Sequence, residues 1–414
     1  MADSVDPSDS EQESDDQAGF SDGFRARFSA LTLTNFLSYK RARLDLDQLV
    51  AVIGPNASGK SNLVAAFKLL REIPVYGLSV AIARRGGFDQ LRHRSNGRPY
   101  DPSIRLEFQI GGSTKPSYYE LSLGAIEGRG YKVKSERAEV CIGSELHKFV
   151  SDGVKVKVTE PLFDFPEDGQ PPEAVPTGEY ENRDFPVAPG QSALANASFA
   201  GYVVYQVLQQ LQTVEINPAK VADLQEPTST RDFTPDGSNA TSVFQALGQQ
   251  DRADLIDELT AVVPRIAGVE VQRLADRQSF RFSETQKEKR REYWAKQMSD
   301  GTLRTFAMLL ALKQPSRPSL VVIEEPEVAI HLGALRTLTD LLVQESSRIQ
   351  VLLTTHSADI VDTVPLGALR VVWNEDGESR VGNVADHTLS VIKDGLITPG
   401  ELLRADSLDV VTDK

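Results

Sequence analysis

The chain has 414 residues, 40% of them hydrophobic, and a net charge of −14, which is enough to bury a substantial core in one large domain or two modest ones. Its single cysteine, Cys141, excludes an intrachain disulfide and a thiolate zinc cluster, and no apolar run approaches the ~20 residues of a membrane helix. Eight acids and no base fall in the first 24 residues, leaving the remainder near −6, a balance that argues weakly against a duplex-coating protein while leaving room for a local basic groove.

Residues 1–24 are rich in Ser, Asp and Glu, which predicts a disordered tail, either solubilising or docking. They lack the apolar segment of a signal peptide, so a cytoplasmic protein is expected. "FSALTLTNF" and "RARLDLDQL" alternate as strands do, and "VAVI" runs straight into a glycine loop. "SNLVAAFKLL" then places Leu63, Ala66, Phe67 and Leu70 on one helical face. From about 100 to 160, "SIRLEFQI", "YYELSL" and "VKVKV" predict a β-meander. The Pro, Gly and acids of 160–190 read as a surface loop or linker. Helical patterns dominate from 199 to 312, and Glu284–Gln297 ("ETQKEKRREYWAKQ") reads as the most basic helical stretch. After Pro315 come strand "SLVVI", helix "GALRTLTDLLVQES", strand "QVLLTT", a helix and strand "LRVVW", an order that implies a parallel sheet. The expected division is a tail at 1–24, an N-terminal lobe at 25–198, a helical lobe at 199–312 and the rest of the core at 313–414.

Gly54 to Ser61, "GPNASGKS", fits G-x-x-x-x-G-K-[ST] between a strand and a helix. Amides of such a turn at a helix N-terminus favour phosphate oxygens. Lys60 would reach the β- and γ-phosphates, and the Ser61 hydroxyl would ligate Mg²⁺. Phosphoryl transfer also needs an acid at the metal and a group that orients water. "SLVVIEEPE" supplies both, with Glu324 for the metal and Glu325 for the water. A gap of 263 residues separates Lys60 from Glu324, and just before that strand lies "QMSDGTLRTFAMLLALK". There Ser299 is a candidate N-cap, leaving amides at Asp300–Thr302 as a second anion-binding helix start. One site needs one such cradle, so the second suggests a γ-phosphate brought by another molecule.

This order resembles the ATP-binding-cassette class of ATPases, and more closely its RecF/SMC-like branch AAA_21, which includes the OLD-family ATPases. "LTLTNFLSYK", "GPNASGKSNL", "RRGGFDQL", "PDGSN", "SDGTLR", "EEPEVAIHL" and "TTHSADIVD" carry the resemblance over most of 28–405. It implies an α/β P-loop NTPase of ABC ATPase type, with a β-rich N-terminal lobe and an inserted helical lobe. It implies that Gly54, Asn56, Ser58, Gly59, Lys60, Ser61 and Asn62 bind the phosphates of ATP, with Ser61 and Glu324 on Mg²⁺. Ser299 and Gly301, with Arg304 nearby, would contact a partner's γ-phosphate. Glu325 would be the catalytic base or water-orienting group, His356 the switch histidine, and Glu327 to Leu332 a loop that signals across a dimer. His331 has a family-typical place, equally suited to anchoring a loop. The metal-sensing glutamine has two candidates, Gln90 and Gln109, and Asn35, Phe36 and Tyr39 are candidates for the adenine contact.

"SDGTLR" in place of LSGGQ argues against a transporter motor. The 58 residues after His356 are too few for a Toprim nuclease domain together with a last ATPase strand, and the long coiled coils of SMC proteins are missing. The expectation is therefore an ATP-dependent homodimer acting with a separate effector such as a nuclease, away from the membrane, in DNA maintenance or defence against foreign DNA. The basic runs Glu284–Gln297, which includes Tyr293 and Trp294, and Arg84–Arg94 read first as solvated faces, with DNA contact as the alternative. The rivals are an ATP-gated scaffold with negligible hydrolysis and, against the missing LSGGQ, a transporter motor subunit.

Overall fold

The computed structural model describes residues 24–411 apart from 95–99, 129, 162, 165–172, 175–179, 196–197, 287–288 and 406–407. The tail expected at the N-terminus lies outside them, except for Phe24.

The parallel sheet expected after Pro315 is present and recruits two earlier strands. Its six strands lie in the order Leu211–Val214, Leu320–Glu324, Gln350–Thr355, Leu49–Ile53, Leu369–Glu375 and Glu378–Asn383. The first five are parallel, and the last pairs antiparallel as a hairpin. Val50, Val52, Val322, Leu352 and Val372 enter one apolar cluster, while Ala51, Ile53, Val321, Ile323, Leu353 and Val371 enter another. A strand covered on both faces carries continuous Val, Ile and Leu, which explains why "LVAVI" and "LVVIE" look alike. The carboxyl ends of Leu49–Ile53, Leu320–Glu324 and Gln350–Thr355 therefore emerge side by side, leading into the glycine loop, the paired glutamates and His356.

The meander expected between 100 and 160 is part of an eight-stranded antiparallel sheet. Its order is Tyr180–Pro186, Lys155–Pro161, Glu145–Ser151, Gly130–Ile142, Ser117–Ile126, Ser103–Ile110, Ala26–Phe36 and Tyr39–Asp45. The edge strand Tyr180–Pro186 falls inside the stretch read as loop; it gains its pairing from Lys155–Pro161 rather than from its own composition. The helices Lys60–Tyr76 and Phe199–Gln209 pack against this sheet, with Leu63, Ala66, Phe67, Leu70, Val203 and Val207 buried beside Phe108 and Tyr119.

The region 199–312 is less helical than its composition suggests. It contributes the strand Leu211–Val214 to the core sheet and a three-stranded antiparallel sheet, Ile266–Leu274, Arg277–Gln286 and Lys289–Trp294. The described residues of the basic run are thus strand and a short 3₁₀ turn at Ala295–Gln297, which corrects the helical reading. Cross-strand pairs decide it. The Arg281 guanidinium lies 5.2 Å from the Trp294 ring and 2.7 Å from the Glu292 carboxylate, and such pairs outweigh the helix preference of Glu, Lys and Arg. Phe280 and Phe282 fix the other face by packing edge-on against Phe306 of the helix Asp300–Lys313. Among the described residues no helix is long and apolar enough to cross a membrane.

Candidate functional site

The glycine loop leaves the carboxyl end of Leu49–Ile53 and enters the helix Lys60–Tyr76, as its pattern requires. Its two glycines are needed for close approach. Gly54 has φ 151°, and a Cβ there would lie 2.1 Å from the Val372 carbonyl oxygen. Gly59 has φ 118°, and a Cβ would lie 2.3 Å from Ser379 Oγ. Beneath the loop runs a chain of hydroxyls that the sequence did not announce. Asn62 Nδ2 donates to Ser38 Oγ at 2.6 Å, Ser379 Oγ donates to the same oxygen at 2.7 Å, and Tyr39 OH donates to the Gly59 carbonyl at 3.0 Å. Burial pushes the Tyr39 phenol far above its ordinary range. Phe36 and Tyr39 are fully buried, so neither offers a ring face to a base, and Asn35 donates to the Asp101 carbonyl.

Lys60 is buried, and its ammonium donates to the carbonyls of Gly54 at 2.8 Å and Pro55 at 2.9 Å. Desolvation lowers its pKa, opposed by the carboxylates of Glu325, Glu327 and Glu324. Ser58 Oγ is buried with no partner. The helix start has no side-chain cap. Among the described residues the amides of Gly59, Lys60 and Ser61 find no protein acceptor. The loop therefore presents free donors and a lysine satisfied only by its own loop carbonyls. Asn56 and Ser61 are exposed beside them.

Glu324 is the last residue of its strand, and Glu325 turns sharply away with φ 46°, its amide held by the Thr354 carbonyl at 3.0 Å. This turn aims Glu325 at His356, whose Nδ1 lies 3.6 Å from Oε1. Glu327 is the firmer partner of that histidine. Its Oε1 accepts from Thr355 Oγ1 at 2.7 Å and from the His356 amide at 3.1 Å, and stands 3.3 Å from His356 Nδ1. Glu327 Oε2 is buried without a partner. Glu324 instead meets Lys68 of the first helix at 3.3 Å, and the same ammonium is ion-paired to Glu215. Gln90 sits on the short helix Phe88–Leu91, and Gln109 on the antiparallel sheet donates to the Ser113 carbonyl. Glu215, next after the strand that pairs in parallel with Leu320–Glu324, stands beside Glu324 instead.

Ser299 caps the helix Asp300–Lys313 as expected, its Oγ accepting from the Thr302 amide at 3.2 Å. A Cβ on Gly301 would lie 2.3 Å from the Ala329 carbonyl, so the turn packs directly on the loop Glu327–Leu332. His331 anchors that loop by capping the helix Leu332–Glu345, with Nδ1 accepting from the Gly333 amide at 3.1 Å. Arg304 Nε is buried and unpartnered. Among the described residues no hydrogen bond or ion pair joins Ser299, Gly301 or Arg304 to the glycine loop.

Sequence reasoning missed Lys68, Glu215, Ser38 and Ser379. Ser38 lies within "LTLTNFLSYK" and Lys68 on the helix that the loop begins, but no local pattern marks either as part of the site, and the strand register brings Glu215 and Ser379 to them.

The sequence profile of AAA_21, described as "AAA domain, putative AbiEii toxin, Type IV TA system", matches residues 49–163 and 207–362. Two solved structures show the fold. One is titled "Crystal structure of the SmcHead bound to the C-winged helix domain of ScpA": 13% identity, 87% of this chain and 99% of that chain covered, TM-score 0.53. The other is an Smc head domain from Pyrococcus furiosus with an extended coiled coil, bound to the C-terminal domain of ScpA: 10% identity, 90% and 99% covered, TM-score 0.51. No curated protein matches the chain. The matched segments run through the glycine loop, the Ser299 turn, the paired glutamates and His356, and the chain belongs to the AAA_21 family of P-loop ATPases.

Proposed function

We propose that the protein binds Mg-ATP, hydrolyses it, and does so as a homodimer in which each ATP is enclosed between one protomer's glycine loop and its partner's Ser299 turn. The observation that carries this reading is a division of labour. The free amides of Gly59 to Ser61, the Lys60 ammonium and the carboxylates gather at the strand ends, while Ser299, Gly301 and Arg304 form a face with no bond to them. The donor set fits a triphosphate: phosphate oxygens would replace the two carbonyls on Lys60 and give the orphaned Ser58 hydroxyl a partner.

Gly54, Asn56, Ser58, Gly59, Lys60, Ser61 and Asn62 would hold the nucleotide, and Ser61 with Glu324 the metal, which when bound neutralises phosphate charge. Glu325 would orient water, and His356, which Glu327 steadies, would meet the terminal phosphate; their mutual contacts support this reading. Ser299 and Gly301, with Arg304, would close the site from the second copy. Exposed Lys289, Arg290 and Arg291, on the strand leading to this turn, suit DNA or a separate effector, consistent with a cytoplasmic role in DNA maintenance or defence. The SMC heads of similar fold are titled as bound to ScpA, which supports a head that works through a partner protein.

Sedimentation velocity with and without Mg-ATP tests it. Glu325→Gln should bind ATP, lose turnover and accumulate as a dimer; a monomer at saturating ATP refutes the paired site. Equal, negligible turnover in wild type and Glu325→Gln supports an ATP-gated scaffold instead.

A further inference from the structure

Lys68 lies two helical turns beyond Lys60, ~12 Å along the same helix, and its ammonium is shared between Glu324 and Glu215. Lys68 and Glu324 are both about three-quarters shielded, with side-chain exposure of 23% each. Charges in such a setting interact more strongly than on an open surface. The arrangement is enforced by register: Val214 pairs with Ile323, so Glu215, just past its strand, and Glu324, the last residue of the neighbouring one, come within reach of the same Lys68 ammonium. Behind Lys68 is a cavity of about 450 Å³, lined also by Arg71, Glu72, Gln212 and Asp232, which gives the long side chain room to swing.

We propose that Lys68 is a tethered counter-ion for Glu324: it neutralises this carboxylate while no divalent cation is bound and retreats onto Glu215 when one arrives, so that the Lys68–Glu215 pair sets how much metal the site requires. The inference rests on the Mg-ATP reading given above. An ammonium 3.3 Å from Glu324 and a divalent cation on the same carboxylate repel each other, so one must yield. Glu215 supplies the place to yield to, without which the displaced ammonium would lose its partner in a half-buried pocket. Both residues act through Glu324 and are positioning residues.

Mn²⁺ binding followed by electron paramagnetic resonance, in the presence of a non-hydrolysable ATP analogue, tests this on the full-length protein without relying on turnover. Lys68→Met removes the competitor and leaves Glu215 as added negative charge, so the Mn²⁺ dissociation constant falls by about fivefold. Glu215→Gln strands Lys68 on Glu324, so the constant rises by a similar factor. In the Lys68→Met background the Glu215→Gln effect shrinks to about twofold or less, because the two act as one unit. Lys68→Arg, which keeps the charge, remains near wild type. A purely structural pair would shift both single variants in the same direction, toward weaker binding, and that result overturns the proposal, as do coincident Mn²⁺ curves. Analogue binding in EDTA separates the two levels of failure. If wild type takes up no nucleotide there or with Mn²⁺, the nucleotide reading itself falls; if nucleotide binds and only the metal curves coincide, this inference alone falls.

Discussion

Gly301 is the most exacting position on the face assigned to the partner's phosphate. A methyl group there would stand 2.3 Å from the carbonyl oxygen of Ala329, against 3.4 Å for an ordinary contact, an overlap of about 1.1 Å. The obstacle is backbone, so rotamer change cannot relieve it. Either the start of the helix Asp300–Lys313 or the loop Glu327–Leu332 must move by nearly that amount. Overpacking of this kind costs about 1–3 kcal/mol, and a 1 Å displacement of positioned groups can cost about 10²-fold in rate. Gly301→Ala should therefore lower turnover by about 10²-fold and abolish ATP-dependent pairing. Nucleotide affinity of the single subunit, which rests on a glycine loop that no bond joins to this turn among the described residues, should stay within about threefold. Titration with a fluorescent ATP analogue, sedimentation with Mg-ATP and steady-state phosphate release read these three quantities separately. Turnover within about twofold of wild type would show that the turn takes no part in the closed site. A parallel loss of nucleotide affinity would show that the turn and the glycine loop are one unit.

Glu327→Gln keeps the shape of the His356 anchor but removes its charge, which weakens a charge-assisted contact by about 1 kcal/mol; kcat should fall about fivefold with little change in ATP affinity, measured by phosphate release and ligand titration. Tyr39→Phe deletes the 3.0 Å bond to Gly59, whose carbonyl still accepts from the amides of Asn62 and Leu63; stability should drop by about 1 kcal/mol in a urea titration, and ATP affinity with it by a few-fold. His147, on the strand Glu145–Ser151, is buried 4.7 Å from the Phe199 ring with Glu145 at 3.7 Å, and desolvation lowers its pKa from 6.5 to about 4. The folded state resists a proton that the unfolded chain accepts, so this contribution is whole above pH 6.5 and is lost as pH falls toward 4. The expected cost between pH 7.5 and 5 is about 2 kcal/mol, seen as a lower urea midpoint at pH 5, and His147→Gln should flatten that part of the profile.

The site divides cleanly into what contiguity reveals and what only folding reveals. The glycine loop, Glu324, Glu325 and the Ser299 cap were legible because each is a local pattern with a local cause: a tight turn, a strand end, a helix start. The parallel sheet was legible from strand and helix alternation. Lys68 and Glu215 were not, since 146 residues lie between them and nothing connects Lys68, on the helix that the glycine loop begins, to Glu215 until Val214 pairs with Ile323. Tyr39 illustrates the opposite error. An aromatic residue before the glycine loop suggested a base contact, yet its ring is needed to close the core and its hydroxyl to hold Gly59. The sheet at 266–294 was hidden by composition, because Glu, Lys, Arg and Gln favour helices when alone, and its strands form through partners such as Arg281 and Trp294.

The left-handed backbone at Glu325 has an evolutionary side. An L-residue at φ 46° gives up ~1 kcal/mol relative to glycine, and the protein carries that deficit for as long as the carboxylate is useful. On the proposed reading of Glu325 as the water-orienting group, descendants that gave up hydrolysis would be free to place glycine there and become sturdier by doing so, so a paralogue with glycine at this position and an otherwise intact core would be recognisable as a retired engine.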